Sequence, residues 1–241
     1  MATMSTRRIS SEKARSLAPG SDHYTAYVGP PSDYDYMGAT QFRLLCALGL
    51  RDHHRLLDFG CGSLRAGRFF IPYLLPGHYY GIEPNSWLIE EAIRKEIGAD
   101  QIQIKRPEFS HHDNFDCSVF GVEFDYIVAQ SIFSHCGVDL VRKGLSAFAE
   151  SLSPNGLAAV TFIHPDTPQE VRPADGWTYP ECVGHSPESV YQLIEGASLH
   201  GQPTSWEHPR QTWWLLSRDS KRLPDADQEL ALMGKVLNPS K

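Results

Sequence analysis

Apolar residues follow two different spacings that alternate along the chain. Short, nearly continuous apolar runs are typical of buried strands, and between them apolar positions recur about every three to four residues, as in amphipathic helices. This alternation predicts a mostly parallel sheet with helices on both faces and a ligand at the carboxyl ends of its strands. The predicted strands are residues 56–58, 78–83, 101–105, 124–129 and 157–163, and the predicted helices are residues 36–49, 65–75, 86–97, 138–152 and 186–196.

The two ends of the chain have different patterns. Residues 202–207 and 211–216 flank a His-Pro-Arg sequence at 208–210, which predicts an antiparallel hairpin that closes the sheet. Residues 1–22 are polar and lack a core pattern, so they are predicted to form a mobile N-terminal arm. Residues 218–241 form a C-terminal tail to which the sequence assigns no chemistry.

Length and composition favour a single domain. The chain has 241 residues, of which 41% are hydrophobic and 21% charged, as is ordinary for a soluble globular protein. We therefore expect one domain over residues 23–217, with an N-terminal lid and helix at 23–50. Residues 164–185 contain four prolines and are long enough to be an insertion that covers the substrate.

Charge, apolar runs and cysteines limit the partners and the location. The formal net charge is -7 without a long basic run, which argues against a nucleic-acid surface. The longest apolar run, residues 69–75, includes a proline and is too short to span a membrane. The five cysteines are scattered, so we expect a cytoplasmic protein without disulfides. The eleven histidines lack the spacing of a metal site, so no metal is expected.

Residues 58–62 carry the clearest local signal for a ligand. The first strand ends at Asp58, and Gly60 and Gly62 follow before a helix begins. Glycines at such a corner permit positive φ and let a ligand lie on the main chain, near the free N–H groups of the next helix. Glu83 ends the second strand about 20 residues later, where nucleotide-binding units place a carboxylate on ribose hydroxyls.

This spacing admits a dinucleotide, but two details oppose one. The third glycine of the dinucleotide fingerprint would stand at position 65, which is Arg65. The carboxylate of Asp58 would also crowd a pyrophosphate. A ligand that has an ammonium group and no phosphate suits Asp58 better.

Three segments together resemble the class I S-adenosylmethionine-dependent methyltransferases, in particular small-molecule methyltransferases of bacterial type. They are Asp58-Phe-Gly-Cys-Gly62, Tyr80-Gly-Ile-Glu-Pro-Asn85 and Phe124-Asp-Tyr-Ile-Val128, and the resemblance covers residues 36–217. It implies a Rossmann-like class I methyltransferase fold, with a mostly parallel seven-stranded sheet and a C-terminal antiparallel hairpin. It also implies that S-adenosyl-L-methionine is the cofactor and S-adenosyl-L-homocysteine the product.

The implied reaction moves a methyl group from the sulfonium to an O, N or C nucleophile of a small-molecule metabolite. Because the cofactor carries the activated methyl group, the protein has mainly to position the acceptor. Two alternatives stay open at this point: an NAD(P)-dependent Rossmann oxidoreductase, and a protein that binds S-adenosylmethionine without catalysis. The assembly is open as well, with a homodimer as one candidate.

The resemblance also assigns contacts to the cofactor. Leu64 stands where the common motif has its third glycine, so the motif does not define the contacts near the methionine carboxylate. Arg65 follows, and it either pairs with that carboxylate, which a guanidinium fork matches, or is an exposed arginine of the next helix. The assigned residues are Asp58, Gly60, Cys61, Gly62, Arg65, Glu83, Pro84, Asn85, Asp113, Asn114, Phe115, Gln130 and Ser131.

Transfer to a hydroxyl or to a protonated amine requires that a proton leave the acceptor. A histidine of near-neutral pKa is the natural proton acceptor. His135 is the leading candidate because it closely follows the strand end at residues 130–131, and His23 and His185 lie in other segments expected to form the pocket. The substrate is expected to contact Tyr24, Tyr27, His164, Trp177 and Tyr179, of which His164 is a further candidate base.

Overall fold

A computed structural model describes residues 11–165 and 175–232. The predictions made for residues 1–10, 166–174 and 233–241 lie outside the described residues. The strands of the described part are β1 (Leu56–Phe59), β2 (Tyr79–Ile82), β3 (Glu108–Ser110), β4 (Phe124–Ala129), β5 (Leu152–Phe162), β6 (His200–Pro203) and β7 (Thr212–Ser217). Its α-helices are α1 (Ser11–Ala14), α2 (Tyr24–Tyr27), α3 (Tyr34–Ala47), α4 (Gly67–Tyr73), α5 (Ser86–Ala92), α6 (Ala99–Lys105), α7 (Val138–Ser151), α8 (Pro187–Gly196) and α9 (Ala226–Ala231).

The strands of the described part form a sheet in the order β3-β2-β1-β4-β5-β7-β6. Neighbouring strands from β3 to β5 are parallel, whereas β7 runs antiparallel to β5 and β6. The strand order reverses direction between β1 and β4, and a crevice opens there at the carboxyl ends of the strands. The predicted mostly parallel seven-stranded sheet with a C-terminal antiparallel hairpin is confirmed.

Helices cover both faces of the sheet because the strands bury side chains on both faces. Leu57 of β1 packs in a cluster with side chains of α7 and α8, such as Phe148. Its neighbour Leu56 packs in a second cluster, with side chains of α3 and α4 such as Leu44. Successive strand residues face opposite sides, so a nearly continuous apolar strand is expected between two helical layers.

The third predicted strand is wrong. Residues 101–105 belong to α6, and β3 lies a few residues later. The alternation of Ile102 and Ile104 suggested a strand, but Ile104 is 62% exposed and does not belong to the core. Arg106 adopts a left-handed conformation (φ 50°) at the end of α6, and the short strand that follows lies at the edge of the sheet. A short edge strand buries too few side chains to leave a clear pattern in the sequence.

The first strand of the C-terminal hairpin begins and ends earlier than predicted. β6 runs from His200 to Pro203, so residues 204–211 form a connection rather than the end of a strand and a tight turn. Trp206 anchors this connection, because its indole Nε1 donates to Thr40 Oγ1 of α3 (2.9 Å). The last residues of the connection reach the crevice.

The segments that precede and follow the predicted domain in the sequence pack against it. Ala14 of α1 is 3% exposed, and Pro19 lines the crevice. At the other end, Leu232 is 5% exposed and belongs to the cluster that contains α3 side chains. None of the helices in the described residues is long and apolar enough to cross a bilayer.

Candidate active site

The crevice at the carboxyl ends of β1, β2 and β4 is a cavity of about 600 Å³. This volume lies within the range of about 300–1,000 Å³ that is usual for pockets that hold small molecules. Two sides of the cavity differ in construction. The glycine corner consists of residues 58–62 with Glu83, and the loop wall consists of the lining residues from segments 130–135, 177–182 and 208–211.

Backbone hydrogen bonds between neighbouring strands hold the glycine corner. The N–H groups of Gly60 and Cys61 both donate to the carbonyl of Ile82 at the end of β2 (2.9 and 3.0 Å). Gly60 and Gly62 have positive φ angles (73° and 54°), which other residues rarely adopt. A Cβ on Gly60 would lie 2.1 Å from Cδ1 of Ile132. The corner therefore requires glycine at position 60, and its main chain lines the cavity.

Glu83 ties the corner to the second strand. Its Oε2 accepts from the N–H of Gly62 (3.1 Å), and its Oε1 accepts from the N–H and from Nδ2 of Asn85 (2.9 and 2.8 Å). Burial raises the pKa of this carboxyl, and the hydrogen bonds from Asn85 and Gly62 oppose the rise. A carboxylate held in this way presents fixed acceptor oxygens to hydroxyl groups of a ligand.

Asp58 lies at the base of the corner with only 5% of its surface exposed. Burial raises its pKa to about 7, whereas the hydrogen bond from the Tyr79 hydroxyl (2.8 Å) and the charge of Arg65 lower it. The carboxyl therefore gains and loses its proton near neutral pH. A cation beside it would favour the ionised form.

Arg65 is buried, so the alternative of an exposed helical arginine is wrong. It precedes α4, is 8% exposed and lines the cavity. Its Nη1 donates to the carbonyl of Val28 (2.8 Å) and its Nη2 to Oε1 of Gln130 (2.7 Å), while its Nε has no hydrogen-bond partner. Leu64 has φ 53°, a left-handed conformation that residues other than glycine rarely adopt. A buried guanidinium with only neutral acceptors is suited to an anionic group.

Hydrogen-bond donors are in excess beside this guanidinium. His208 Nδ1 accepts from two backbone N–H groups of the turn that follows it (3.2 and 3.0 Å). Burial lowers the pKa of His208 to about 3, so the ring is neutral and its hydrogen must be on Nε2. Nε2 of His208 lies 3.0 Å from Nε2 of Gln130, which is also a donor. Nε2 of Gln130 also donates to Oγ of Ser131 (3.0 Å), so the N–H of His208 is the donor that faces no acceptor, and a carboxylate of a ligand would supply one.

His135 lies on the loop wall at the end of a 3-10 turn, Phe133–His135. Its Nδ1 is 2.6 Å from the carbonyl oxygen of Glu181. A carbonyl only accepts hydrogen bonds, so Nδ1 carries the hydrogen and Nε2 keeps a lone pair. Burial lowers the pKa of His135, and the hydrogen bond to Glu181 opposes this. The ring is therefore neutral at pH 7 and has one nitrogen that can accept a proton.

Aromatic rings surround His135 on the loop wall. The His135 ring is 4.9 Å from the Tyr179 ring and 5.7 Å from the Trp177 ring. Trp177 and Tyr179 are nearly parallel (6.3 Å between centroids, 23° between planes), and the Tyr179 hydroxyl donates to the carbonyl of Tyr27. Trp177 is 52% exposed, so one large apolar surface remains open at the cavity.

Most residues assigned from the sequence meet at this cavity. Asn114, Tyr24 and His164 do not line it, and neither do His23 and His185. The contacts of the others with a ligand stay predictions. Those that line the cavity are Asp58, Gly60, Cys61, Gly62, Arg65, Glu83, Pro84, Asn85, Asp113, Phe115, Gln130, Ser131, His135, Tyr27, Trp177 and Tyr179.

Two of the residues that do not line the cavity form hydrogen bonds elsewhere in the protein. The hydroxyl of Tyr24 donates to Oε1 of Glu96 (2.6 Å). Nδ1 of His164 donates to the carbonyl of His185 (2.7 Å), and its Nε2 accepts from Nε1 of Trp214 (3.0 Å). Because both ring nitrogens of His164 are paired, it has no free site for a substrate proton.

Other lining residues were not identified from the sequence. Met37 and Gln41 of α3 line the cavity, as do residues 28–30 and 208–211. A helical pattern does not distinguish a side chain that faces a ligand from one that faces the core, and residues 208–210 were placed in a hairpin turn. The His-Pro-Arg sequence itself was the available signal. Within the described residues, no group of three or more His, Cys, Asp or Glu side chains is arranged to hold a metal ion.

Comparison with known proteins gives a match to part of the chain. Residues 57–158 match a family model described as a methyltransferase domain. No curated protein matches the chain.

Solved structures of methyltransferases share the fold. The chain is similar to the magnesium protoporphyrin IX methyltransferase ChlM of Synechocystis PCC 6803, solved with bound SAH, with 14% identity, 78% of this chain and 84% of that chain covered, and a TM-score of 0.57. It is similar to DesVI of Streptomyces venezuelae, with 15% identity, 80% and 95% covered, and a TM-score of 0.58. It is also similar to CalS10, an amino pentose methyltransferase of Micromonospora echinaspora, with 15% identity, 77% and 92% covered, and a TM-score of 0.55. The predicted Rossmann-like methyltransferase fold is confirmed.

Proposed function

We propose that this chain is a class I S-adenosylmethionine-dependent methyltransferase and that it methylates an O, N or C nucleophile of a small-molecule metabolite. The observation that carries the proposal is one cavity that joins the glycine corner to a neutral histidine and an open aromatic surface. The names of ChlM and CalS10 describe small-molecule acceptors, which supports this substrate class. The comparisons give no support to an oxidoreductase or to a protein that only binds the cofactor.

The residues of the corner fit S-adenosylmethionine group by group. When bound, the cofactor supplies an activated methyl group on a sulfonium. Glu83 would accept hydrogen bonds from ribose hydroxyls, and Asp58 would face the ammonium group. Arg65, with the donors of Gln130 and His208 beside it, would hold the carboxylate. The excess of donors beside Arg65 supports this assignment, because a carboxylate supplies the acceptors that the site lacks.

His135 would remove the proton from the acceptor. Its Nδ1 is fixed by the carbonyl of Glu181, so the ring cannot turn freely and Nε2 is the nitrogen available as a base. Tyr27, Trp177 and Tyr179 would hold the acceptor in line with the methyl group and exclude water. A cytoplasmic location is part of the same proposal and is supported by five cysteines that are all free.

Binding followed by transfer tests the proposal. Calorimetry should show binding of S-adenosylmethionine and none of NAD, and labelled methyl groups should then pass to small molecules in a mixture of cellular metabolites. Binding of NAD in place of S-adenosylmethionine would indicate the oxidoreductase. Binding of S-adenosylmethionine without transfer to any metabolite would indicate a protein that does not catalyse.

A further inference from the structure

Charged side chains are distributed unevenly around the cavity. The lining carboxylates are those of Asp33, Asp58, Glu83 and Asp113, and all four lie outside the loop wall. Among the described residues, the loop wall contributes one permanently charged side chain to the lining, that of Arg210. The lining of the loop wall therefore carries one positive charge and no carboxylate, and the carboxylate of Glu181 lies near it without lining the cavity.

The backbone that carries Arg210 is held in place. His208 Nδ1 accepts from the N–H of Arg210 (3.2 Å) and of the residue that follows it (3.0 Å). Earlier in the same connection, Glu229 Oε1 accepts from the N–H of Ser205 (2.5 Å), and Trp206 is bonded to α3. The position of Arg210 at the cavity is thus set by the fold, while its side chain is exposed.

The guanidinium of Arg210 has no acceptor within the described part of the chain, in contrast to two nearby arginines. Arg65 donates to the carbonyl of Val28, and Arg68 pairs with Asp35 (2.5 Å). The hydrogen bond found for Arg210 comes from its backbone N–H and leaves the side chain without a partner. Arginine at the edge of a pocket with all its donors available is suited to bind an anionic ligand group.

Arg210 also affects the candidate base. Burial lowers the pKa of His135 most and the hydrogen bond to the Glu181 carbonyl raises it, while the charge of Arg210 lowers it and the charge of the Glu181 carboxylate raises it. The guanidinium of Arg210 therefore disfavours the protonated form of the His135 ring. An anion bound to Arg210 would cancel this effect and make His135 a better base when the acceptor is present.

From this arrangement we infer that the methyl acceptor carries an anionic group, a carboxylate or a phosphate, and that Arg210 binds it. The inference rests on the proposed methyl transfer and adds the class of acceptor. A guanidinium matches the oxygens of either group through two parallel hydrogen bonds. The anion then fixes the acceptor on the loop wall beside Nε2 of His135, whereas a cationic acceptor would be repelled from the same place.

Fractionated metabolites test the charge of the acceptor. Small molecules from cells are separated on an anion-exchange resin at pH 7, and each fraction is given to the protein with labelled S-adenosylmethionine. The label should pass to the retained, anionic fraction. Transfer only to the unretained fraction would overturn the inference and leave the proposed function standing. Transfer to neither fraction would contradict the proposed function and with it the inference. Prior phosphatase treatment should abolish labelling for a phosphate and leave it unchanged for a carboxylate.

Variants of Arg210 test the residue. With the retained fraction as substrate, Arg210→Gln should raise the apparent KM about ten- to hundredfold, and Arg210→Lys by less, because the charge remains and the fork is lost. The affinity for S-adenosylmethionine should stay the same in both, which also shows that they fold. Arg142→Gln, on the exposed side of α7, is the matched control and should leave the KM unchanged. An unchanged KM in Arg210→Gln would refute the role of Arg210.

Discussion

The glycine corner and the loop wall bound the same cavity but are built in different ways. In the corner, β1 and β2 pair in register, with Asp58 opposite Gly81, and the contacts are mainly between main-chain groups. The loop wall is made of side chains from three segments that are far apart in sequence. A site made of main chain depends on the fold, whereas a site made of loop side chains can change its ligand without changing the sheet. The corner should therefore govern the cofactor, together with Gln130 and His208 at the cofactor's carboxylate, and the rest of the loop wall should govern the acceptor.

Replacing the candidate base should give the largest effect and should spare the cofactor. In His135→Asn the side-chain amide can still donate to the carbonyl of Glu181, but the proton acceptor at Nε2 is gone. Turnover should fall by about 10²–10⁴ if the acceptor must lose a proton, while the affinity for S-adenosylmethionine stays nearly constant. Initial rates across pH and calorimetry measure the two quantities.

The pH profile separates a base from a residue that only shapes the pocket. The deficit of His135→Asn should shrink at high pH, where the acceptor can ionise without help. The rate of the unchanged protein should fall on the acid side, below the lowered pKa of His135. His53→Asn, with a side chain 63% exposed, is the control and should have full activity. A deficit that does not vary with pH would assign His135 to the shape of the wall.

The opposite result is expected when the corner is changed. Glu83→Gln keeps the size of the side chain but turns one acceptor oxygen into a donor that meets the N–H of Gly62 or Asn85. Affinity for S-adenosylmethionine should fall about ten- to hundredfold, with a smaller change in the rate at saturating cofactor. Calorimetry of this variant beside Glu90→Gln, an exposed residue of α5, makes the comparison. Equal affinities would reassign Glu83 to a structural role.

The difference between the glycine corner and the loop wall explains what could be predicted from the sequence. Asp58, Gly60, Gly62 and Glu83 were identified because a strand, a corner and a second strand are local patterns whose spacing fixes their meeting point. The loop wall depends on contacts between distant segments, such as the hydrogen bond from Trp206 to α3, which no local pattern encodes. Residues 208–211 were therefore missed as lining residues.

Burial also decided one case that the local pattern left open and one that it predicted wrongly. An arginine such as Arg65 is usually found at the protein surface. Only the tertiary structure shows that its guanidinium is buried against Val28 and Gln130. The alternation of Ile102 and Ile104 was taken for a strand because a sequence does not state which face is buried. The wrong strand at residues 101–105 and the open alternatives for Arg65 have one cause, which is that a repeat of apolar positions does not show what each side chain contacts.

A smaller effect at the corner should depend on pH. The pKa of Asp58 is raised to about 7, so the carboxyl is protonated below that pH and cannot pair with an ammonium group until it loses the proton. Affinity for S-adenosylmethionine should therefore fall as pH decreases through about 7, by at most about tenfold per unit. Calorimetry in buffers of different ionisation enthalpy should detect proton release below pH 7. In Asp58→Asn both the pH dependence and the proton release should be absent, and their persistence would point to another group.

Changing the open aromatic surface should have the smallest effect and should act on the acceptor alone. Trp177 is 52% exposed and stacks on Tyr179, so a flat or apolar part of the acceptor can pack on it. Aromatic pairs contribute about 0.5–1.5 kcal/mol, so Trp177→Leu should raise the KM for the acceptor by roughly two- to tenfold. The affinity for S-adenosylmethionine should not change, since the corner is intact. Tyr191→Leu, at an exposed aromatic residue of α8 away from the cavity, is the matched control. A loss of cofactor affinity in Trp177→Leu, with the KM for the acceptor unchanged, would show that the loop wall serves the cofactor and would remove the distinction between the two sides.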